Sequence, residues 1–270
     1  MIKKTKSFAL IAVVATSLAL LTACAAGDSN ALTAIKDRQV VTIGSSGNNN
    51  PTIFKDASGE FVGVDVDWAN IVAEDLGAKI EWKVLDFKGI VPGLQSGQFD
   101  LAMSGLRVTA ERAEVIDFSD AYASEDAVVV YPSSMTGINS PEDITGKTVC
   151  VVAGSSNGDQ PVERIGTAKE SQAYPGVAEA FEGLKVGRCE LLVTGRAVAK
   201  TWLKGEGEGR GFSVSTGGTD CTSIAIGVPK GEPELLKAIN ESIATAVAAG
   251  KYDEIAEKWI GEPFPVCDSK

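Results

Sequence analysis

The sequence predicts an α/β protein of two lobes joined by two crossing strands. Three observations carry this expectation. From residue 39, strand-like and helix-like segments alternate as strand–helix–strand–helix–strand, the order of a parallel sheet with helices on its faces. The alternation starts a second time at residue 146. Two apolar runs, EDAVVVYP (125–132) and CTSIAIGVP (221–229), are each long enough to pass between two bodies.

The elements follow in order. Lys3, Lys4 and Lys6 precede the apolar run SFALIAVVATSLALLTA, which ends at Cys24, in the form of a secretory signal over residues 1–23. Leu21-Thr22-Ala23-Cys24 is similar to the bacterial lipobox, which implies cleavage before Cys24 and acylation of its thiol and amine. The other reading, an uncleaved anchor, needs a span at the short limit for crossing a bilayer. Residues 24–39 are small and polar and read as a tether. QVVTIGSS is a strand, GNNNPTIF a loop and KDASGEFVG a hairpin turning at Gly59. From Asp67 a helix buries Trp68, Ile71, Val72 and Leu76 and stops at Gly77. KIEWKVLD is a strand, FKGIVPGLQSGQ a short helix and FDLAMSG a strand.

SGLRVTAER (104–112) then turns from strand to helix with Ser104, Arg107, Thr109 and Arg112, a set suited to holding an anion. In the second round, GKTVCVVAGSS is a strand with a Gly-Ser turn and PGVAEAFEGLKVG a helix. RCELLVTG and RAVAKTWLK make a further strand and helix. GEPELLKAINESIATAVAAG and KYDEIAEKWIG are closing helices. One lobe takes 40–127 with 227–270, the other 128–226. The carboxyl ends of the strands face the cleft, where ligands of open α/β sheets sit.

Composition narrows the chemistry. The 270 residues carry a net charge of −11, which argues against nucleic acid as the partner. Removing residues 1–23 takes three lysines and no acids, so the charge falls to −14. There is no histidine, which excludes a Ser-His-Asp or Cys-His centre and histidine-ligated zinc. Beyond Cys24, the even set Cys150, Cys189, Cys221 and Cys267 points to disulfides in an exported chain. Three pairings are open. Neighbouring strands favour Cys150 with Cys189, which leaves Cys221 with Cys267.

Five segments in this order carry a resemblance: GEFVGVDVDWANIVAEDLG, DFKGIVPGLQSGQFDLAMSG, LRVTAERAEVIDFSDAY, GKTVCVVAGSS and GVPKGEPELLKAINESIATAVAAGKYDEIAEKW. The chain resembles the extracytoplasmic solute-binding proteins of polar amino-acid ABC transporters, family 3. The resemblance implies a type II periplasmic-binding-protein fold that closes on a small carboxylate-bearing solute, an amino acid or a derivative. It implies a binding protein rather than an enzyme, without cofactor or metal. It also implies a monomer at the outer face of the cytoplasmic membrane, lipid-anchored through Cys24. The solute would pass to an ABC permease with a separate ATPase subunit; this chain has no GxxxxGK[ST] loop of its own.

The resemblance also implies site residues. Arg112 falls on the clamp for the ligand α-carboxylate, which a guanidinium fork matches bidentately. Ser104 and Gly105 line the cleft, the Gly154-Ser155-Ser156 turn adds donors from the other lobe, and Phe87 makes a wall. Three positions depart from the family. Gly195 stands where an aspartate holds the ligand ammonium. Asn49, between Asn48 and Asn50, stands for an aromatic lid. Arg107 stands for a small Ser or Thr. A gained cation beside a lost acid leads to the expectation of an acidic ligand or one with a blocked amine. Against it stands an Arg107 paired within the protein, with Glu111 and Asp120 as candidate partners. Arg196, beside Gly195, adds a third cation or faces solvent.

Two other functions fit the same fold. A cyclohexadienyl-dehydratase-like enzyme needs a poised general acid, for which Asp159 is the candidate. A sensor would dock on a membrane receptor in place of a permease.

Overall fold

The computed structural model describes residues 30–265 and 267. The expected signal segment and the Cys24 lipidation site lie outside the described residues. Among the described residues no helix is long and apolar enough to cross a membrane.

The first element corrects the sequence expectation. Over 24–39 a tether was expected, yet Ala31–Arg38 forms helix α1. Asn30 caps it by accepting the Thr33 N–H at 2.9 Å, and the Ala31 N–H donates to Glu232 at 2.8 Å. Ile35 is wholly buried in the core, and Ala31 and Leu32 pack against it from the same helix, so a short apolar face docks α1.

Then come β1 (Val40–Ser45), the hairpin β2 (Phe54–Lys55) and β3 (Phe61–Val62), and helix α2 (Val64–Leu76). α2 starts three residues before the expected Asp67. The loop carbonyls of Pro51 and Thr52 accept its first N–H groups, those of Val64 and Asp65, which would otherwise lack partners. Gly77 ends it in the left-handed conformation, as expected. Next are β4 (Lys79–Val84), a 3-10 turn over Phe87–Gly89, α3 (Ile90–Gln95), β5 (Leu101–Ala102) and α4 (Ala110–Val115). The first crossing strand, β6 (Asp117–Pro132), begins eight residues before the apolar run that announces it.

The second half holds β7 (Thr148–Val152), α5 (Asp159–Ile165), β8 (Glu170–Tyr174), α6 (Val177–Lys185), β9 (Leu191–Gly195), α7 (Arg196–Lys204) and β10 (Phe212–Val214). The second crossing strand β11 (Thr219–Val228) leads back to α8 (Pro233–Ala248) and α9 (Lys251–Trp259).

One sheet runs through the whole molecule in the order β4-β1-β5-β11-β6-β9-β7-β8, with β10 on β6. β1 is parallel to β4 and β5, and β7 is parallel to β8 and β9. The central pair β6 and β11 is antiparallel and joins the two parallel groups. Apolar cores lie at both ends. Trp68, Leu235 and Ile239 pack on the β1 end, and Phe181, Leu184 and Trp202 on the β7 end. Cys150 is bonded to Cys189 within the β7 end, and Cys221 on β11 to Cys267 in the tail, the pairing favoured above.

If α1 is docked, Ile35→Ala should cost about 2–4 kcal/mol of unfolding free energy, as other buried truncations do. A tether would give no change in a urea titration.

Candidate functional site

The carboxyl ends of β1, β5, β7 and β8 run out toward one another. Between them lies a narrow cavity. Ser46, Asn49, Phe87, Ser104 and Gly105 line it from the β1 end. Val152, Ser155, Ser156, Asn157, Gly176 and Val177 line it from the β7 end. Six of the ten expected ligand residues are therefore in its wall. Arg112 and Gly154 line the adjoining opening, which shares Phe87. Arg107 and Gly195 lie behind the wall. Sequence reasoning missed Ser46, Val152, Asn157, Gly176 and Val177, of which only Asn157 adjoins an expected residue.

The wall is pinned from behind. The Ser104 hydroxyl accepts the Ser46 N–H at 3.1 Å and lies 2.9 Å from the Ser46 hydroxyl. Gly105 turns the chain at a φ of 60°, which a side chain would strain. Its N–H donates to Asp65 Oδ2 at 2.8 Å, and the Tyr122 hydroxyl donates to Asp65 Oδ1 at 2.6 Å. Asp65 is fully buried, and burial pushes its carboxyl up to about 7 against the lowering effect of those two bonds. The carboxylamide oxygen of Asn49 is buried and has no partner among the described residues, so it presents a free acceptor in the wall.

Arg112 sits in the first turn of α4, whose N-cap Thr109 accepts the Arg112 N–H at 3.3 Å. Its side chain is 7% exposed. It donates to the Arg107 carbonyl at 3.0 Å, to the Gly154 carbonyl at 3.0 Å and to the Ser156 hydroxyl at 3.5 Å, so it bridges the two ends of the sheet. Its guanidinium lies 5.6 Å from the Phe87 ring centre. Burial lowers its pKa to about 10, helped by Arg107 and opposed by Glu111, which leaves it charged at neutral pH.

Arg107 has a different surrounding. The turn that carries it runs along β11, with Val108 donating to the Ser223 carbonyl and Ala225 to the Leu106 carbonyl. Its side chain is 1% exposed and donates to the Ser156 carbonyl at 3.3 Å and to the Glu125 carbonyl. The balancing charges come from β6 and, more weakly, from Asp220 on β11. The nearby Glu125 and Asp126 both favour the charged Arg107, against a burial that lowers its pKa. The expected partners are elsewhere: Glu111 accepts from Gln160 at 3.0 Å, and Asp120 donates its N–H to Asn240. Arg196 is likewise answered, by two bonds from its Nε to Asp126 at 2.8 and 3.1 Å.

Glu125 also accounts for Gly195. A Cβ at residue 195 would overlap the Glu125 carboxylate. That carboxylate accepts the Ala197 N–H at 2.8 Å and so caps α7. Burial raises its pKa, with Arg107 opposing. The acid missing at the end of β9 is matched by one reaching in from β6. Nothing in the sequence marks Glu125, since it opens an apolar run and reads as a strand boundary.

Asp159, the candidate acid, accepts the Gly154 N–H at 2.8 Å and is not in the cavity wall. Among the described residues no three His, Cys, Asp or Glu side chains converge to hold a metal ion.

A family model for bacterial extracellular solute-binding proteins, family 3, matches residues 41–262. The ABC transporter glutamine-binding protein of Bacillus subtilis (strain 168) is 32% identical, over 96% of this chain and 98% of its own length. Among solved structures, an ancestral arginine-binding protein bound to glutamine is 36% identical with a TM-score of 0.79, covering 83% of this chain and 99% of its own. An ancestral amino acid-binding protein, a precursor of cyclohexadienyl dehydratase, is 31% identical with a TM-score of 0.77, over 86% of this chain and 99% of its own.

The fit of Gly195 to Glu125 is open to a double-mutant cycle. Gly195→Ala should cost about 1–3 kcal/mol by overpacking. In an Glu125→Ala background the same change should cost little, because the clashing carboxylate is gone; equal costs in both backgrounds would deny the contact.

Proposed function

We propose that this chain, which belongs to the bacterial extracellular solute-binding proteins of family 3, captures a free amino acid with an uncharged polar side chain and delivers it to an ABC permease. The observation that carries this is Arg112: a buried, charged guanidinium at the mouth of a cavity otherwise walled by serine hydroxyls, asparagines and Phe87. The guanidinium takes the carboxylate, with the Ser155 and Ser156 turn beside it. Asn49 offers its free acceptor to a donor on the ligand.

An acidic ligand loses its motive in this geometry. The cations that call for one, Arg107 and Arg196, have Glu125 and Asp126 as counter-charges. A relative named for glutamine binding, and an ancestral arginine-binding protein solved with glutamine bound, support the uncharged reading. The lobes of the mechanism are 40–127 with 227–270, and 128–226, hinged on β6 and β11. Anchoring through an acylated Cys24 would keep the protein at the outer face of the cytoplasmic membrane, near a permease whose ATPase is a separate subunit. An enzyme is disfavoured because Asp159 is committed to the Gly154 N–H.

Calorimetry with L-glutamine, L-arginine, L-histidine and L-glutamate tests this. Glutamine should bind and glutamate should not. Arg112→Ala should weaken binding by about 100-fold, the value of a charge-assisted pair. Binding of glutamate alone would overturn the ligand assignment, and binding of no amino acid would overturn the function.

A further inference from the structure

We propose that Asp65 is a positioning residue for the ligand: its carboxylate fixes the Ser104–Gly105 peptide in the cavity wall, places a negative charge behind it, and couples it to the crossing strand β6 through Tyr122. The inference rests on the amino-acid reading above.

The geometry assigns both carboxylate oxygens. One accepts the Gly105 N–H at 2.8 Å and the other the Tyr122 hydroxyl at 2.6 Å, within a site that has no solvent exposure at Asp65 or Tyr122. Gly105 has no side chain with which to anchor itself, and Thr52 and Asn49 pack against it from the adjacent loop. The bond to Asp65 is thus what orients this peptide. A carboxylate bonded to the N–H end of a peptide polarises its carbonyl end, here that of Ser104. That carbonyl accepts no hydrogen bond among the described residues. A polarised carbonyl backed by a negative charge favours a cationic donor, such as the ammonium of an amino acid, on the cavity side. Three elements meet here: the first turn of α2, the turn after β5, and β6. A shift of β6 in hinge motion would be felt at the wall through Tyr122.

The charge state of Asp65 matters, and burial places its carboxyl at about 7. Tyr122, facing it from β6, is pushed well above its ordinary value by burial and stays protonated. The 49–52 loop and the 104–105 turn bring only peptide groups, Asn49 and Thr52. Among the described residues no lysine or arginine pairs with Asp65. The charged form bonds Gly105 and attracts the ligand cation, so affinity rises with pH through neutrality and binding releases a proton.

L-Glutamine calorimetry between pH 5 and 9, on the wild type, Asp65→Asn and Tyr122→Phe, tests this. The wild type should bind about tenfold more tightly at the alkaline end, and Asp65→Asn should bind about tenfold more weakly with a flat profile, in line with one lost bond to a charged group. Tyr122→Phe removes a bond that favours the charged form, so its midpoint should move up. A Gly105 amide resonance followed without ligand should titrate near pH 7 in the wild type and not in Asp65→Asn. The same pH profile in wild type and Asp65→Asn would overturn the inference. If the wild type binds neither glutamine, arginine nor histidine, the amino-acid reading fails instead. The amide titration then decides on Asp65 by itself: a Gly105 amide indifferent to pH overturns it.

Discussion

A guanidinium taken out of water at the junction of two bodies is the constraint around which this molecule is arranged. Arg107 is 1% exposed. A buried charge of that kind costs several kcal/mol unless it is paired and hydrogen-bonded. Two carbonyls receive its N–H groups, its Nε has no partner among the described residues, and Glu125 on β6 supplies the strongest opposing charge. Glu125 then needs room and donors of its own. The room is the missing side chain at Gly195, and the donor is the first turn of α7. Alongside, Asp126 takes Arg196. The departures at Arg107, Gly195 and Arg196 are thus one rearrangement of charge among the hinge strand, the end of β9 and the turn after β5.

That rearrangement keeps charge out of the cavity wall. Two cations and two anions are balanced among themselves behind it. The serines and asparagines in front are left to contact the solute through neutral bonds. Selectivity for the solute's side chain then rests on shape and on directional donors and acceptors, with charge matching confined to its backbone groups.

Much of the architecture was legible because buried faces impose a period. The α2 face of Trp68, Val72 and Leu76, the crossing runs and the second alternation all stand in the structure as the pattern required. What failed to show was held by partners distant in sequence. α1 docks through Ile35 and a bond to Glu232, two hundred residues away. β8 is an edge strand of polar residues, ESQAY, with no apolar alternation to betray it. In the site, Ser104, Gly105 and the Gly154–Ser156 turn were legible as strand ends with small residues. Asp65 and Glu125 were not. A carboxylate near a helix start and another at the edge of an apolar run look like ordinary solvated acids, and only the tertiary structure shows that both are buried.

The bond between Cys221 and Cys267 fastens the tail that follows α9 to the start of the second crossing strand. Lys200 with Glu262, and Ser124 with the Pro265 carbonyl, hold the same strap. Only seven residues separate Trp259 from Cys267, and an extended residue spans about 3.4 Å. The strap therefore has a finite reach. It sets a limit on how far the end of α9 can part from the start of β11, as a short leash does.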